Sequence, residues 1–177
     1  MAQLLADRNH LLDELLKSIQ SGDSNALAVL YHEVSASVYS FALSILKNPH
    51  DAEDVLQDCF VRIYQSSDQY RSNGKPMAWI MTIAKNLCFM YLRQQSRTES
   101  LPEQWDTLLP WNEEATTIDR VVLQQCMSRL TDEQRQIVVL HAVAGMKHRE
   151  IAELMDLALP TVLSKYHRAI QKLRSHI

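Results

Sequence analysis

Chain breakers are scarce in this sequence: 177 residues contain three glycines and five prolines. No run of alternating Val, Ile and Thr is long enough to make a sheet, so a β architecture is excluded and an all-α protein is expected. With 46% hydrophobic residues the chain has enough apolar mass for one ordinary domain or two small ones. Cysteine is also rare. Cys59, Cys88 and Cys126 are far apart, odd in number and without Cys-x-x-Cys or Cys/His spacing, which excludes a disulfide framework and a zinc site. They read as buried free thiols in a reducing compartment. The N-terminus lacks a basic stretch followed by an apolar run, and no segment approaches the roughly 20 apolar residues that span a bilayer. A cytoplasmic protein with no direct membrane insertion is therefore expected. There is no phosphate-binding glycine loop, no metal-ligand spacing and no nucleophile paired with a base, so neither an enzyme nor a cofactor is expected.

A strong overall positive charge is missing too, since the net charge is −3. That total hides segregation. From Gln69 to Thr98 the chain carries Arg71, Lys75, Lys85, Arg93 and Arg97 with no acid. Glu99 to Asp119 holds Glu99, Glu103, Asp106, Glu113, Glu114 and Asp119 with no base. From Leu157 to the end come Lys165, Arg168, Lys172 and Arg174, again without an acid. Two basic patches flank one acidic stretch, and local charge governs phosphate binding more than the sum does.

Apolar residues from Leu4 to Ile19 recur at helical spacing and stop at Ser21-Gly22. Asp23 or Ser24 then caps a helix that runs through Val38, Phe41 and Leu46 to Asn48-Pro49. Asp51 opens a third helix, favoured by the positive end of the helix dipole, which reaches about Ser66. Residues 67–76 read as a polar, basic loop with a turn at Asn73-Gly74, and Pro76 suits the first position of a helix ending near Gln95. Residues 96–117, with Pro102, Pro110, Trp105 and Trp111, keep no period and read as a linker. Beyond it come a helix over Ile118–Cys126, a cap at Thr131, a helix that Gly145 ends, a short helix from about Arg149 to Met155, and a last one from Thr161. The resulting division is 1–95, 96–117 and 118–177.

Two helices joined by a short turn near the C-terminus match a helix-turn-helix, whose second helix lies in a DNA major groove. Ile151, Ala152, Leu154, Met155, Leu157, Val162, Tyr166, Ile170 and Leu173 supply its packing positions. Thr161, Ser164, Lys165, His167 and Arg168 fall largely on another face, where hydroxyls and cations reach bases and phosphates. Spacing alone equally allows an ordinary amphipathic hairpin with a solvated basic face. His141 and His148 flank a helix end and read as structural or DNA-facing residues, not metal ligands.

Residues 145–157, followed by residues 161–174, resemble region 4 of the sigma-70 family of transcription initiation factors, and residues 130–140 fit the helix that precedes it. Residues 48–64, with Asp51-Ala-Glu-Asp54 near their start, resemble region 2.2, and residues 76–87 resemble regions 2.3 and 2.4. The resemblance covers most of residues 24–175 in order. It points to the extracytoplasmic-function group, which keeps regions 2 and 4 alone. It implies two helical domains joined by the acidic linker, in a factor that binds core RNA polymerase, recognises the minus-35 and minus-ten elements of promoter DNA and promotes melting.

By the same resemblance, the helix around residues 51–64 binds a coiled coil of the polymerase. Asp51, Asp54, Gln57 and Asp58 would make polar contacts there, and Val55, Leu56 and Phe60 would pack. The loop from Tyr70 to Pro76 would receive a flipped base of the minus-ten strand, with Tyr70, Arg71, Ser72, Asn73 and Lys75 in it. Stacking on an aromatic ring is worth about 1 to 3 kcal/mol per base, comparable with the cost of unstacking. Lys75, Lys85 and Arg93 would neutralise phosphates, and Asn86 would meet a base or the backbone. Trp79 reads as a core residue or as a side chain set against the duplex fork. Minus-35 contacts would come from Lys147, Arg149, Thr161, Ser164, Lys165, His167 and Arg168. Leu163 stands where the family commonly has a basic residue, and Pro160 where it commonly has glycine, so an altered minus-35 preference is expected.

A handful of phosphate contacts gives non-specific dissociation constants of roughly 10⁻⁴ to 10⁻⁶ M, too weak to find one promoter among genomic sites. Two modules tethered on one large enzyme reach effective concentrations of about the millimolar range. Poor promoter binding by the free chain and tight binding by the holoenzyme are therefore expected. The acidic linker is expected to run towards the RNA exit path, and a membrane-bound or soluble anti-sigma factor is an implied partner. A free-standing helix-turn-helix regulator is the alternative, but it leaves residues 51–64 and the Trp79 helix without a purpose.

Overall fold

The computed structural model describes residues 2–96 and 127–175; the expected linker beyond residue 96, the helix over 118–126, both linker tryptophans and Cys126 lie outside the described residues. The described helices are α1 (Ala2–Gln20), α2 (Ser24–Leu46), α3 (Pro49–Gln65), α4 (Pro76–Gln95), α5 (Asp132–Ala142), α6 (His148–Met155) and α7 (Leu159–Arg174), and no strand occurs among the described residues. A single 3₁₀ turn at Ser67–Gln69 interrupts the stretch expected to be irregular.

Local chemistry sets most boundaries. The Asp23 carboxylate accepts the Asn25 and Ala26 N–H groups at the start of α2. Asn48 caps α3 in the same way, through the His50 and Asp51 N–H groups, with Pro49 in the first turn. Thr131 and Gln134 form a reciprocal capping box before α5. Gly145, at φ 72°, turns the chain from α5 into α6 in a conformation that a side chain would strain.

α2 is the axis of the bundle. It packs against α1, α3 and α4 on one side and against α5 on another. Its buried residues include Leu30, Val34, Val38, Phe41, Ala42 and Leu46. Contrary to the hydropathy expectation, α2 is long and apolar enough to cross a membrane, but 61% of its most apolar window is buried inside the fold, as a core helix requires. Cys59 and Cys88 are buried free thiols, and burial pushes both up to about 12, so neither is a thiolate at neutral pH.

The two halves share one core. Ile137, Leu140, Ala144, Met146, Ile151 and Leu154 belong to the same buried cluster as Leu12, Phe41 and Ile80. Polar contacts stitch the seam. Arg8 donates to the Ala144 carbonyl at 3.1 Å, Ser37 to the Val143 carbonyl at 3.2 Å, and Lys47 pairs with Asp132 at 3.1 Å. A small satellite cluster of Leu130, Val138 and Ala169 completes the second half.

Candidate polymerase and nucleic-acid interfaces

α3 turns Ala52, Val55, Leu56, Cys59, Phe60 and Ile63 inward and leaves Glu53, Asp54, Gln57 and Asp58 exposed. The acidic face thus stands where the sequence put it. Asp54 accepts the Tyr91 hydroxyl at 2.7 Å and Asp51 accepts the Gln95 amide at 2.6 Å, so α4 braces the start of that face. The expectation that Val55, Leu56 and Phe60 pack on a partner is corrected: Val55 is fully buried, and Phe60 packs on the Tyr31 ring with centroids 4.9 Å apart. These three residues fill the chain's own core because the inward stripe of α3 is consumed by α2 and α4. The apolar residues left outside are Val61 and Tyr64, each about half exposed at 55% and 51%. Sequence reasoning missed both, although Val61 lies seven residues after Asp54 on the same helical face.

The basic loop is tied to the rest of the fold by hydrogen bonds. Tyr70 is buried at 2% exposure and its hydroxyl donates to Asp13 at 2.5 Å, so it offers no open ring for stacking. Its ring instead meets Trp79 edge-on, at 5.2 Å between centroids. Arg71 folds back on the Asp68 and Tyr70 carbonyls. Ser72 donates to Asp13 at 2.7 Å, and Asn73 accepts the Lys75 N–H across the turn at Gly74. Trp79 is half-buried, which joins the two roles the sequence left open. One side of it lines a cavity of about 360 Å³ with Arg62, Ser66, Gln69, Ile83, Asn86, Leu87 and Met90. That volume falls in the usual range of ligand clefts, about 300 to 1,000 Å³. The sequence indicated Trp79 and Asn86; Arg62, Ser66 and Gln69 gave no signal, because only the packing of the end of α3 against α4 brings them in.

Two of the expected phosphate-binding cations are engaged across the seam. Lys75 pairs with Glu153 of α6 at 2.9 Å, and Lys85 donates to the Leu154 carbonyl at 2.5 Å. A second cleft of about 280 Å³ lies between Asn73, Lys75, Ala78, Trp79 and Thr82 on one side and Glu150, Glu153 and Leu154 on the other. Asn86 and Arg93 are exposed.

α6 and α7 form the helix-turn-helix. Glu150 accepts the Lys147 N–H at 2.7 Å at the start of α6, and Asp156, at φ 54°, closes its end in the left-handed conformation. α7 begins at Leu159, two residues before the expected Thr161. Pro160 therefore lies inside the first turn, where its missing N–H would have no intrahelical partner anyway, and the turn's left-handed residue is Asp156. Val162 and Ala169 are buried, and Ala169 was absent from the packing positions read from the sequence. Ser164, His167 and Arg168 are exposed with Lys147 and Arg149, Thr161 is half-buried, and Leu163 is 46% exposed on the same helix. Lys165 pairs with Glu133 at 2.5 Å, and His167 bonds Gln171 at 3.1 Å. His141, His148 and Tyr166 pack together, the two imidazoles stacked at 4.2 Å, so both histidines serve the junction of the three helices. Among the described residues no cluster of His, Cys, Asp or Glu is placed to hold a metal.

A helix-turn-helix fused through a shared core to an acid-faced, loop-bearing helical bundle defines a DNA-binding protein with a second docking surface. Residues 30–98 match the Sigma-70 region 2 family and residues 120–173 match Sigma-70, region 4, together more than half of the chain. The chain belongs to the sigma-70 family, and within it to the extracytoplasmic-function type. It is similar to the ECF RNA polymerase sigma factor SigW of Bacillus subtilis, 26% identical over 94% of this chain and 97% of that one. The ECF RNA polymerase sigma factor SigE of Mycolicibacterium smegmatis is 33% identical over 79% of this chain and 57% of its own length. The fold is shared with CnrH, solved in complex with the cytosolic domain of CnrY, at a TM-score of 0.65 and 22% identity over 93% of this chain and 96% of that one. It is also shared with the sigma factor RpoE from Bartonella quintana, solved with the anti-sigma factor NepR, at 0.68 and 20% identity over 82% and 92%. The protein is a promoter-recognising sigma factor that binds core RNA polymerase.

Proposed function

We propose that residues 1–95 hold the polymerase-docking and minus-ten surfaces, that residues 118–177 hold the minus-35 surface, and that the two must separate before either meets DNA. The observation that carries this reading is the seam: Lys75 and Lys85, the cations best placed to neutralise minus-ten phosphates, are bound by Glu153 and the Leu154 carbonyl of the helix-turn-helix. A cation already paired gains less from a phosphate. The free chain therefore binds promoter DNA poorly, and polymerase supplies the energy that holds the modules apart.

Docking uses Asp51, Asp54, Gln57 and Asp58 with Val61 and Tyr64, an acidic face with an apolar strip beside it. Minus-ten capture uses Ser72, Asn73, Lys75, Trp79, Lys85, Asn86 and Arg93 around the open cavity, with Tyr70 and Arg71 shaping the loop from within. Minus-35 reading uses Lys147, Arg149, Thr161, Ser164, Lys165, His167 and Arg168, with Leu163 an apolar neighbour able to meet a thymine methyl. The linker joins the modules as an acidic strap towards the RNA exit path.

The protein works in the cytoplasm and catalyses no reaction of its own; chemistry belongs to the polymerase. Because CnrH and RpoE were solved with CnrY and NepR bound, an anti-sigma protein is proposed as the inhibitor of this chain as well. The test is run-off transcription with purified core enzyme, with and without this protein, alongside promoter binding by the free chain. Transcription dependent on the chain, with weak binding by the chain alone, is the expected outcome. No affinity for core enzyme, or tight sequence-specific binding by the free chain, overturns the reading.

A further inference from the structure

α1 precedes residue 30, where the region 2 match begins, yet it supplies Asp13, an acid bound by three side chains. Asp13 is 8% exposed. One of its oxygens accepts the Tyr70 hydroxyl at 2.5 Å, the other accepts the Ser72 hydroxyl at 2.7 Å, and Lys17 pairs with it at 2.8 Å. Two turns of helix further on, Gln20 donates to the Ser67 carbonyl at 2.6 Å and the Tyr70 carbonyl at 3.0 Å. α1 thus holds the start of the loop by two side chains and four hydrogen bonds.

The grip reaches the exposed part of the loop from both sides of its turn. Ser72 immediately precedes the Asn73-Gly74 turn, and Tyr70 sets the edge of Trp79, which lines both clefts. Burial works to raise the Asp13 carboxyl, but hydrogen bonds from Lys17, Tyr70 and Ser72 outweigh it and hold the group at about 2. It is therefore an ionised acceptor across the physiological range, and charge-assisted bonds of this kind are the strong ones. A loop already held in one shape loses less freedom when a strand settles on it.

Resting on the reading that residues 70–76 capture the minus-ten strand, we propose that Asp13 is a positioning residue for promoter specificity: it fixes Tyr70 and Ser72 so that the loop discriminates bases in the melted strand. Asp13 touches no DNA. It acts only through the loop.

The test uses holoenzyme carrying Asp13→Ala, Ser72→Ala, Tyr70→Phe or the Asp13→Ala/Ser72→Ala pair. Binding to single-stranded minus-ten oligonucleotides with each of the four bases at each position is measured beside core affinity, minus-35 duplex affinity and thermal midpoint. Asp13→Ala is expected to weaken the preferred oligonucleotide roughly tenfold and to flatten the preference among bases. Core and minus-35 affinities stay within about twofold, a change below half a tenfold step. The double variant loses less than the two single losses combined, because the Ser72 bond is made through Asp13. If Asp13→Ala fails to fold, Tyr70→Phe and Ser72→Ala each remove one bond with packing intact and show the same flattening in smaller measure.

Unchanged base preference in Asp13→Ala, or a uniform fall in every affinity in step with the thermal midpoint, overturns the proposal. Asn73→Ala and Lys75→Ala separate it from the reading beneath it. If they leave oligonucleotide binding intact, the loop is not the capture element and both fall. If they weaken binding while the Asp13, Tyr70 and Ser72 variants keep full base preference, the positioning role alone falls.

Discussion

The half built from α1 to α4 and the half built from α5 to α7 hold their proposed DNA-facing residues in opposite ways. In the first, the functional loop is irregular backbone gripped from beneath by α1 and capped by Pro76 at the start of α4. In the second, most of the functional residues stand on a regular helix that needs no grip, and α7 buries only Val162 and Ala169 in full. A helix fixes side-chain directions by its own hydrogen bonds; a loop borrows its shape from neighbours. The second half is also the dependent partner in packing, since Ile151 and Leu154 of α6 share the cluster centred on α2.

Breaking that shared core tests the dependence most severely. Phe41→Ala, at a 1% exposed position on α2, is expected to cost about 3 to 5 kcal/mol. Hydrogen exchange should show amides of α5 to α7 losing protection together with those of α1 to α4. Loss confined to the first half would show that the halves fold independently.

A smaller change confined to the second half sharpens the contrast. Arg135 is 4% exposed and donates to the Met127 and Leu130 carbonyls and to Asp132. Arg135→Met leaves buried carbonyls unpaired at about 1 to 3 kcal/mol. Urea unfolding followed by a probe on α7 should register it, with minus-ten oligonucleotide binding by holoenzyme unchanged.

Acid should separate the halves by pH. Burial first, and the neighbouring His141 second, lower the His148 pKa below 6.5. The unfolded chain then binds the proton more readily, so stability of the second half is full above pH 6.5 and falls as pH drops towards the lowered value. Asp13, held at about 2 against 3.8, keeps its contribution until pH falls below 3.8 and loses it towards 2. Thermal melts between pH 7.5 and 5 should therefore decline, and His148→Phe should flatten that decline.

The mildest change concerns the seam. Lys75 and Glu153 are 42% and 65% exposed, so Glu153→Gln is expected to cost under about 1 kcal/mol in stability. Its expected signature is stronger binding of minus-ten oligonucleotide by the free chain, read by fluorescence anisotropy at low salt. No gain would mean that the seam contact does not compete with DNA.

Much of the fold was legible in order. Pro76 and the unbroken apolar period placed α4 at the residues observed, and Asp23 and Thr131 cap as their side chains demand. The start of α7 was misread because Pro160 looks like a stop, whereas proline is equally at home in a first turn. Val55 and Phe60 illustrate another limit: spacing assigns a residue to a face but cannot say whether the chain itself or a partner covers that face.

Helix order, caps, the acidic face of α3 and the cationic face of α7 were determined by the sequence itself, because they follow from contacts within four residues of each other. The burial of Tyr70 on Asp13, the cavity beside Trp79 and the pairing of Lys75 with Glu153 were decided only by the tertiary structure. Those residues lie 57 and 78 positions apart in the two bonded pairs, and no local pattern encodes which distant surfaces meet when a shared core closes.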